Sequence, residues 1–389
     1  MPGELSATLE QGLARLCSVL PFAQAAEHLA FFWGVQVSAS TARRHAEAVG
    51  AAYVAVQEAE LQQLEQACPV PPAGPPLQQV SADGAMVPLV GGKWAEVRTV
   101  AVATVGSNPR TDQAQATEPS YFSRLTDHDT FIRSAQVELH RRGTETAGVV
   151  VGVMDGAPWL QELLDRYRPD ATRVLDLPHA LGHLATTAQA TFGAGSAALA
   201  VWLEQQADAL KHGASSAVLL ALVQLPAEQA ANPTVAVAER DKTFRYLEHR
   251  LDQIQYAEFL ARGYPIGSGL VESANKLVVE VRLKGSGMHW RSTNVNPMLA
   301  LRNIACNERW PEAWPQICTR LRSQEQAARA ARQQARHLRL LPAPPPAPPP
   351  PRPAVALPKP APRVVNGRPA ADHPWRRPFL RGGRDRAAS

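Results

Sequence analysis

A chain of 389 residues with 45% hydrophobic side chains is too long for one small core and apolar enough to bury two or three structural units. No stretch approaches the ~18 uninterrupted apolar residues of a membrane helix, Met1-Pro2-Gly3-Glu4 opens no secretory signal, and Cys17, Cys68, Cys306 and Cys318 form no CxxC pair; a cytoplasmic protein with reduced thiols is expected. The net charge of +5 is carried by the end of the chain: from Arg352 onward nine Lys/Arg face two Asp/Glu, a surplus of +7 that leaves residues 1–351 at about −2, so any acidic partner must be met by local clusters.

The periodicity predicts a helix from Phe22 to Phe32 with Ala25, Ala26, Leu29 and Phe32 at helical spacing, then a turn at Gly34. A second helix, capped by Ser38 or Ser40 and stopped by Gly50, carries Thr41, Arg43 and Arg44. This outlines a helix-turn-helix presenting those three residues to a major groove, and equally an ordinary helical hairpin with a solvated Arg pair. A further helix runs to Gln66, completing an all-α domain over residues 1–68, and the Pro-rich run 69–76 reads as an interdomain linker. Strands are expected over Val80–Val90, Trp94–Val105 and Ser120–Leu125, a helix over Asp129–Arg141, a buried strand from Gly148 to Met154, a helix over Pro158–Tyr167 and a strand over Thr172–Leu175. Pro178 opens a long helix as Pro at a first turn does. The order β-β-β-α-β-α-β-α is that of an RNase H-like domain over residues 77–318, an α/β fold with an all-α insertion at about 185–260. Residues 319–341 read as a basic helix bearing Arg320, Arg322, Arg329, Arg332, Arg336 and Arg339, and 342–389 as a disordered Pro/Arg-rich tail.

Three carboxylates fall where such a domain can do chemistry. Asp83 lies in the first strand, Asp155 directly follows the apolar strand ending at Met154, and Glu272 starts a helix after Gly267-Ser268-Gly269. Converging on one point they repel one another, and magnesium, which prefers carboxylate oxygens, resolves the repulsion. Two such ions ~3.5–4 Å apart can activate an attacking oxygen and stabilise a leaving one. Each residue also has a plain reading: an Asp-Gly pair is a common turn, and Glu272 can pair with Lys276 at i+4. Asp176 and His179 end the fifth strand and open the next helix, with His183 one turn on. The HxxxH spacing suggests zinc, but Ala180 stands where a metalloprotease needs Glu, and a helix-capping role for Asp176 stays open. The segment Arg282-Leu283-Lys284-Gly285-Ser286-Gly287-Met288-His289-Trp290-Arg291 packs cations and an aromatic around two glycines, suiting phosphate contact and base stacking by Trp290; a surface loop with a buried Trp anchor is the alternative.

Four stretches in order, Asp83-Gly84-Ala85-Met86-Val87-Pro88-Leu89, Met154-Asp155-Gly156-Ala157-Pro158-Trp159, Leu175-Asp176-Leu177-Pro178-His179-Ala180 and Pro265-Ile266-Gly267-Ser268-Gly269-Leu270-Val271-Glu272-Ser273, resemble bacterial insertion-sequence transposases of the ISKra type, allied to the Mutator-like DDE enzymes. The resemblance covers roughly residues 20–315. It implies that Asp83, Asp155 and Glu272 form a DDE triad holding two Mg2+ (or Mn2+) ions, and that Asp176-x-x-His179 is the signature lying between the second Asp and the Glu. The Arg282–Trp290 element also matches, except that His289 stands where a basic residue such as Arg is expected. The implied activity is metal-dependent cleavage and strand transfer at terminal repeats, with double-stranded DNA as partner, a homo-oligomer on DNA and a nucleoid-associated location. A transposase-derived DNA-binding regulator and an RNase H-like nuclease are the alternatives.

Overall fold

The computed structural model describes residues 5–111, 113–340, 364–365 and 367–369. Three helices open the chain: α1 (Ala7–Val19), α2 (Phe22–Trp33) and α3 (Ala39–Ala67). Ser38 caps α3 through the Thr41 N–H, and Gly34 ends α2 in the left-handed region at φ 66°. Ala25, Ala26 and Leu29 are buried as their spacing predicts, but Phe32 is exposed with its neighbours Phe31 and Trp33.

The expected stop at Gly50 does not occur: α3 is one helix of 29 residues. Gly50 is needed for approach instead. A Cβ there would lie 2.1 Å from the Pro297 carbonyl oxygen of α13 (Ser292–Cys306), so the row Ala42, Ala46 and Gly50 lets two helix backbones nearly touch. Because the clashing atom is backbone, Gly50→Ala is expected to cost about 1–3 kcal/mol of unfolding free energy, as overpacking does. Urea denaturation checks this, and a loss within ~0.5 kcal/mol, typical of a neutral surface change, contradicts it.

The strands β1 (Leu77–Leu89), β2 (Lys93–Ser107), β3 (Ala114–Arg124), β4 (Val149–Met154) and β5 (Thr172–Leu175) form a mixed sheet in the order β3-β2-β1-β4-β5. The first three are antiparallel, and β4 and β5 run parallel to β1. The expected α/β class is met. Alternation along the strands separates two faces. Val80, Ala82, Val100, Val102, Val150 and Met154 meet α4 (His128–Arg141) and α5 (Pro158–Tyr167). On the other face, Ala85, Val87, Val97 and Ala101 share a core with the N-terminal helices, α13 and the continuous helical stretch made of α11 (Gly269–Ala274), the turn Asn275–Glu280 and α12 (Val281–Leu283). Val151, Val153, Val174 and Leu175 pack under α6 (Leu177–Phe192), α7 (Ala197–Lys211), α8 (Ser215–Val223), α9 (Pro233–Glu248) and α10 (Tyr256–Ala261), the all-α insertion.

The expected division at 69–76 is therefore not a division of the fold. Residues 1–329 make one compact unit, and the supposed linker is strapped to the α4–β4 turn: the Gly74 N–H donates to Thr146 Oγ1, whose hydroxyl donates to the Pro72 carbonyl, and Gly148 N–H donates to Pro75. Ion pairs Arg141–Glu60 and Arg133–Glu65 also tie α3 to α4. A helix with an apolar face buried against two partners gains more from the shared core than from standing apart. The expected basic helix 319–341 is the outer part of a longer one, α14 (Trp310–Leu340), with side chains exposed from Arg322 to Arg336. The second unit, 330–389, contains the hairpin β6 (Val364–Val365) and β7 (Arg368–Pro369); the rest of the Pro/Arg-rich tail lies outside the described residues. Among the described residues no helix is long and apolar enough to cross a membrane.

Candidate active site

The register of the sheet decides where the carboxylates stand. Val80 on β1 pairs with Gly152 on β4, the last pair of that parallel ladder; Asp83 follows three residues on within β1, and Asp155 three residues on, just past the end of β4. Met154 pairs with Leu175 of β5, and the next residues are Asp155 and Asp176, whose N–H donates to the Met154 carbonyl. Asp155 and Asp176 thus stand just past the carboxyl ends of β4 and β5, the edge where open α/β sheets place their ligands, while Asp83 lies within β1, beyond the stretch that pairs with β4.

Asp83 Oδ1 accepts from the Gly84 N–H at 2.6 Å and Oδ2 from Asn275 Nδ2 at 2.9 Å. Its pKa is raised, first by burial and then by the charges of Asp155 and Glu272, so Asp83 feels both other acids of the expected triad. Asp155 Oδ1 accepts from the Ala157 N–H at 2.9 Å. Glu272 is exposed in the first turn of α11 (Gly269–Ala274), a position favouring negative charge, and Ser268 Oγ lies 3.4 Å from its Oε1.

Asp176 is 4% exposed and caps α6, accepting from the His179 N–H at 3.0 Å through Oδ2 and from the Ser268 N–H at 2.7 Å through Oδ1. The capping role left open by the sequence is met, and it does more. The same carboxylate pins the Gly267–Ser268 turn from which the Glu272 helix departs. Its pKa is raised by burial foremost, with Glu272 adding to the shift. His179 and His183 line a cleft of about 500 Å³ with Asp176, Lys242 and Glu272. His183 stacks on Tyr246 with ring centroids 4.1 Å apart, and its pKa is lowered by burial, then by His179, Lys242 and Arg250.

Sequence reasoning missed Asn275, Tyr246 and Arg250. Asn275 begins a π-helical turn (Asn275–Glu280) continuing from α11, a distortion that recurs at functional sites, and its Oδ1 is buried without a partner beside Asp83. Glu272 and Asn275 at i and i+3 share a helix face, a pattern visible in hindsight. Tyr246 and Arg250 come from the insertion, 91 and 94 residues from the backbone carbonyls they hold, and carried no local signal.

A second cleft, of about 350 Å³, brings together the two segments expected to meet DNA: Arg43 on α3, and Met288, His289 and Arg291 on the loop before α13. Arg43, Arg44, His289 and Arg291 are exposed. Thr41 is half-buried, its hydroxyl accepting from Arg44 at 3.3 Å. Lys284 is paired with Glu280 at 2.7 Å. Arg282 and Trp290 are corrections. The Arg282 guanidinium lies over Phe22 and Trp290, donates to the Cys17 carbonyl at 2.8 Å and is 1% exposed. Burial pulls its pKa down to about 10 and pushes the Cys17 thiol up to about 12. Trp290 is buried, donates through Nε1 to the Leu283 carbonyl, and exchanges backbone hydrogen bonds with the end of β1. Neither is open to DNA; the apolar ring is worth more under α2 than in water.

Among the described residues, the trio that brings one ligand atom from each residue within 4.8 Å of the others is His128, Asp129 and Glu162, around the start of α4 and on α5, rather than the triad. Exposed at the surface and partnered with each other, these three are an ordinary ion-pair cluster. No protein-family model and no curated protein matches this chain.

Proposed function

We propose that the chain is a DDE transposase with an RNase H-like core, acting on the phosphodiester bonds of double-stranded DNA. The observation that carries this reading is that the adjacent parallel strands β1 and β4 bring Asp83 and Asp155 together, with Glu272 near enough that the charges of both raise the Asp83 pKa. The donor set fits a divalent cation: hard carboxylate oxygens, mutual repulsion with no side-chain cation among the causes of the Asp83 shift, and an unpartnered Asn275 Oδ1 alongside. Asp83, Asp155 and Glu272 would hold Mg2+ or Mn2+, which supplies activation of the attacking oxygen and stabilisation of the leaving one in both cleavage and strand transfer. The protein's part is placement. Asp83 is fixed by the pairing of β1 with β2, Asp155 lies in the turn just past β4, and Glu272 follows the turn that Asp176 pins. Arg43, Arg44, His289 and Arg291 take phosphates and base edges, with Thr41 at the start of the same helix and Lys284 at the loop's base.

Incubating the protein with the DNA flanking its own coding region tests the reading. With magnesium it should nick the element's ends and yield joined products; with chelator it should only bind. Nicks without joined products would assign a nuclease, and binding without nicks a regulator, and either overturns the proposal. Changing Arg43 and Arg44 together to Ala is expected to weaken repeat-end binding by ~1–3 kcal/mol for each guanidinium that grips a base edge with two hydrogen bonds. The preference over random DNA should shrink with it. A gel-shift competition showing the preference intact would move recognition off α3.

A further inference from the structure

We infer that Tyr246 and Arg250 are positioning residues through which the helical insertion holds Asp155 in place, an assignment that rests on the proposed function. Beyond Met154 the chain has left β4 and has not yet entered α5, so sheet pairing no longer fixes the Asp155–Gly156 turn. Two side chains from the insertion take over. Tyr246 Oη donates to the Asp155 carbonyl at 2.5 Å, and Arg250 Nη2 donates to the Gly156 carbonyl at 2.9 Å. With both carbonyls held, the direction in which Asp155 projects its carboxylate is set, and the Ala157 N–H bond to Oδ1 completes the constraint.

The two side chains also brace each other. Arg250 Nη1 donates to the Tyr246 carbonyl at 3.0 Å, its guanidinium carbon lies 4.1 Å from the Tyr246 ring centroid, and His183 of α6 stacks on the same ring. Cation–π contact and stacking keep two long side chains from wandering, which a single exposed hydrogen bond does not. The fit leaves no slack. Gly156 has φ 83°, and a Cβ there would stand 2.6 Å from Arg250 Nε and 2.9 Å from Tyr246 Oη. The turn therefore requires glycine twice, for its backbone conformation and for the clamp resting on it.

A plain structural staple and a positioning role differ in what they change. Tyr246→Phe keeps the ring and its stack and removes only the hydroxyl. Arg250→Gln removes the grip on Gly156 by another route, should either variant fold poorly. Binding of Mn2+ to the full chain without DNA, followed by electron paramagnetic resonance, is the primary readout, with thermal unfolding and repeat-end binding as controls. Partners that orient a ligand typically control 10–100-fold of metal affinity, so each variant is expected to weaken Mn2+ binding by about tenfold. DNA affinity should be unchanged, and cleavage should recover at raised Mn2+ concentration. Asp155→Asn marks the site. If it abolishes Mn2+ binding while Tyr246→Phe and Arg250→Gln bind as the parent does, the positioning role is overturned and the transposase reading stands. If the parent shows no Asp155-dependent Mn2+ binding, both fall.

Discussion

Asp155→Asn is expected to lower cleavage of repeat-end DNA by on the order of a thousandfold or more, equivalent to ~4 kcal/mol of transition-state stabilisation, while folding and DNA binding persist. Asp83→Asn and Glu272→Gln should behave alike, because each keeps shape and removes charge. Stability should separate them. Asp83 is raised by burial and by its two acidic neighbours, so its ionisation works against the fold. A carboxyl with a raised folded-state pKa keeps its proton longer folded than unfolded, and stability falls as pH climbs from the unfolded value, about 3.9, through the folded one. Without divalent cation, Asp83→Asn should escape that fall and become the more stable protein at neutral pH. Its Oδ1 can still accept from Gly84, and Asn275 can turn its free Oδ1 toward the new amide. Thermal unfolding with chelator across pH 3–7 reads the difference. A variant less stable than the parent at neutral pH would mean that Asp83 is stabilised by an interaction the present geometry lacks, and a variant cleaving near the parental rate would sink the triad.

The legible parts of this chain are those in which one residue's neighbours in sequence decide its fate. The run Val149-Val150-Val151-Gly152-Val153-Met154 has only one comfortable place, a strand buried on both faces, and Pro178 and Gly34 act within a single turn. Asp155 is legible because the end of an apolar strand announces it and Glu272 because a Gly-Ser-Gly turn opens its helix, although the strand order that makes β4 the neighbour of Asp83's strand is not printed in the sequence. Gly50 misleads because a glycine that ends a helix and one that admits a neighbouring backbone look alike until the neighbour, Pro297, is known. Arg282 and Trp290 mislead for a related reason. A cation beside an aromatic suits a phosphate and a base equally as it suits burial under Phe22, and only tertiary packing chooses. The 69–76 segment has a linker's composition, yet its carbonyls find donors at Thr146, Gly148 and Val149. Tyr246 and Arg250 lie furthest from sight, since their partners are backbone carbonyls, which every residue has.

Arg309→Ala is expected to destabilise the fold by about 3–5 kcal/mol, the cost of leaving one partner of a buried pair uncompensated. Arg309, between α13 and α14, makes two bonds to Glu138 of α4, Nη1 to Oε2 at 2.5 Å and Nη2 to Oε1 at 2.7 Å. Glu138 is 4% exposed. Burial alone would raise its pKa, but the hydrogen bonds and charge of Arg309, with Arg141 adding, outweigh burial and hold it lowered. A lowered folded-state pKa gives stability that is present above the unfolded value, about 4.3, and is lost as pH falls through the folded one. Without Arg309 the sign reverses, because burial then favours the protonated acid and acidification relieves the variant. The deficit relative to the parent should therefore be largest near neutral pH and shrink toward pH 4. A double change, Glu138→Gln with Arg309→Met, removes the stranded charge and should recover most of the loss, as neutral replacements of buried pairs do. Urea denaturation of the parent, Arg309→Ala, the constituent singles Glu138→Gln and Arg309→Met, and the double at pH 7 and pH 4.5 completes the cycle. An Arg309→Ala deficit below ~1 kcal/mol, the range of exposed pairs, would show that water reaches Glu138. A deficit independent of pH would instead assign the loss to the packing of the Arg309 stem, with the ion pair contributing nothing.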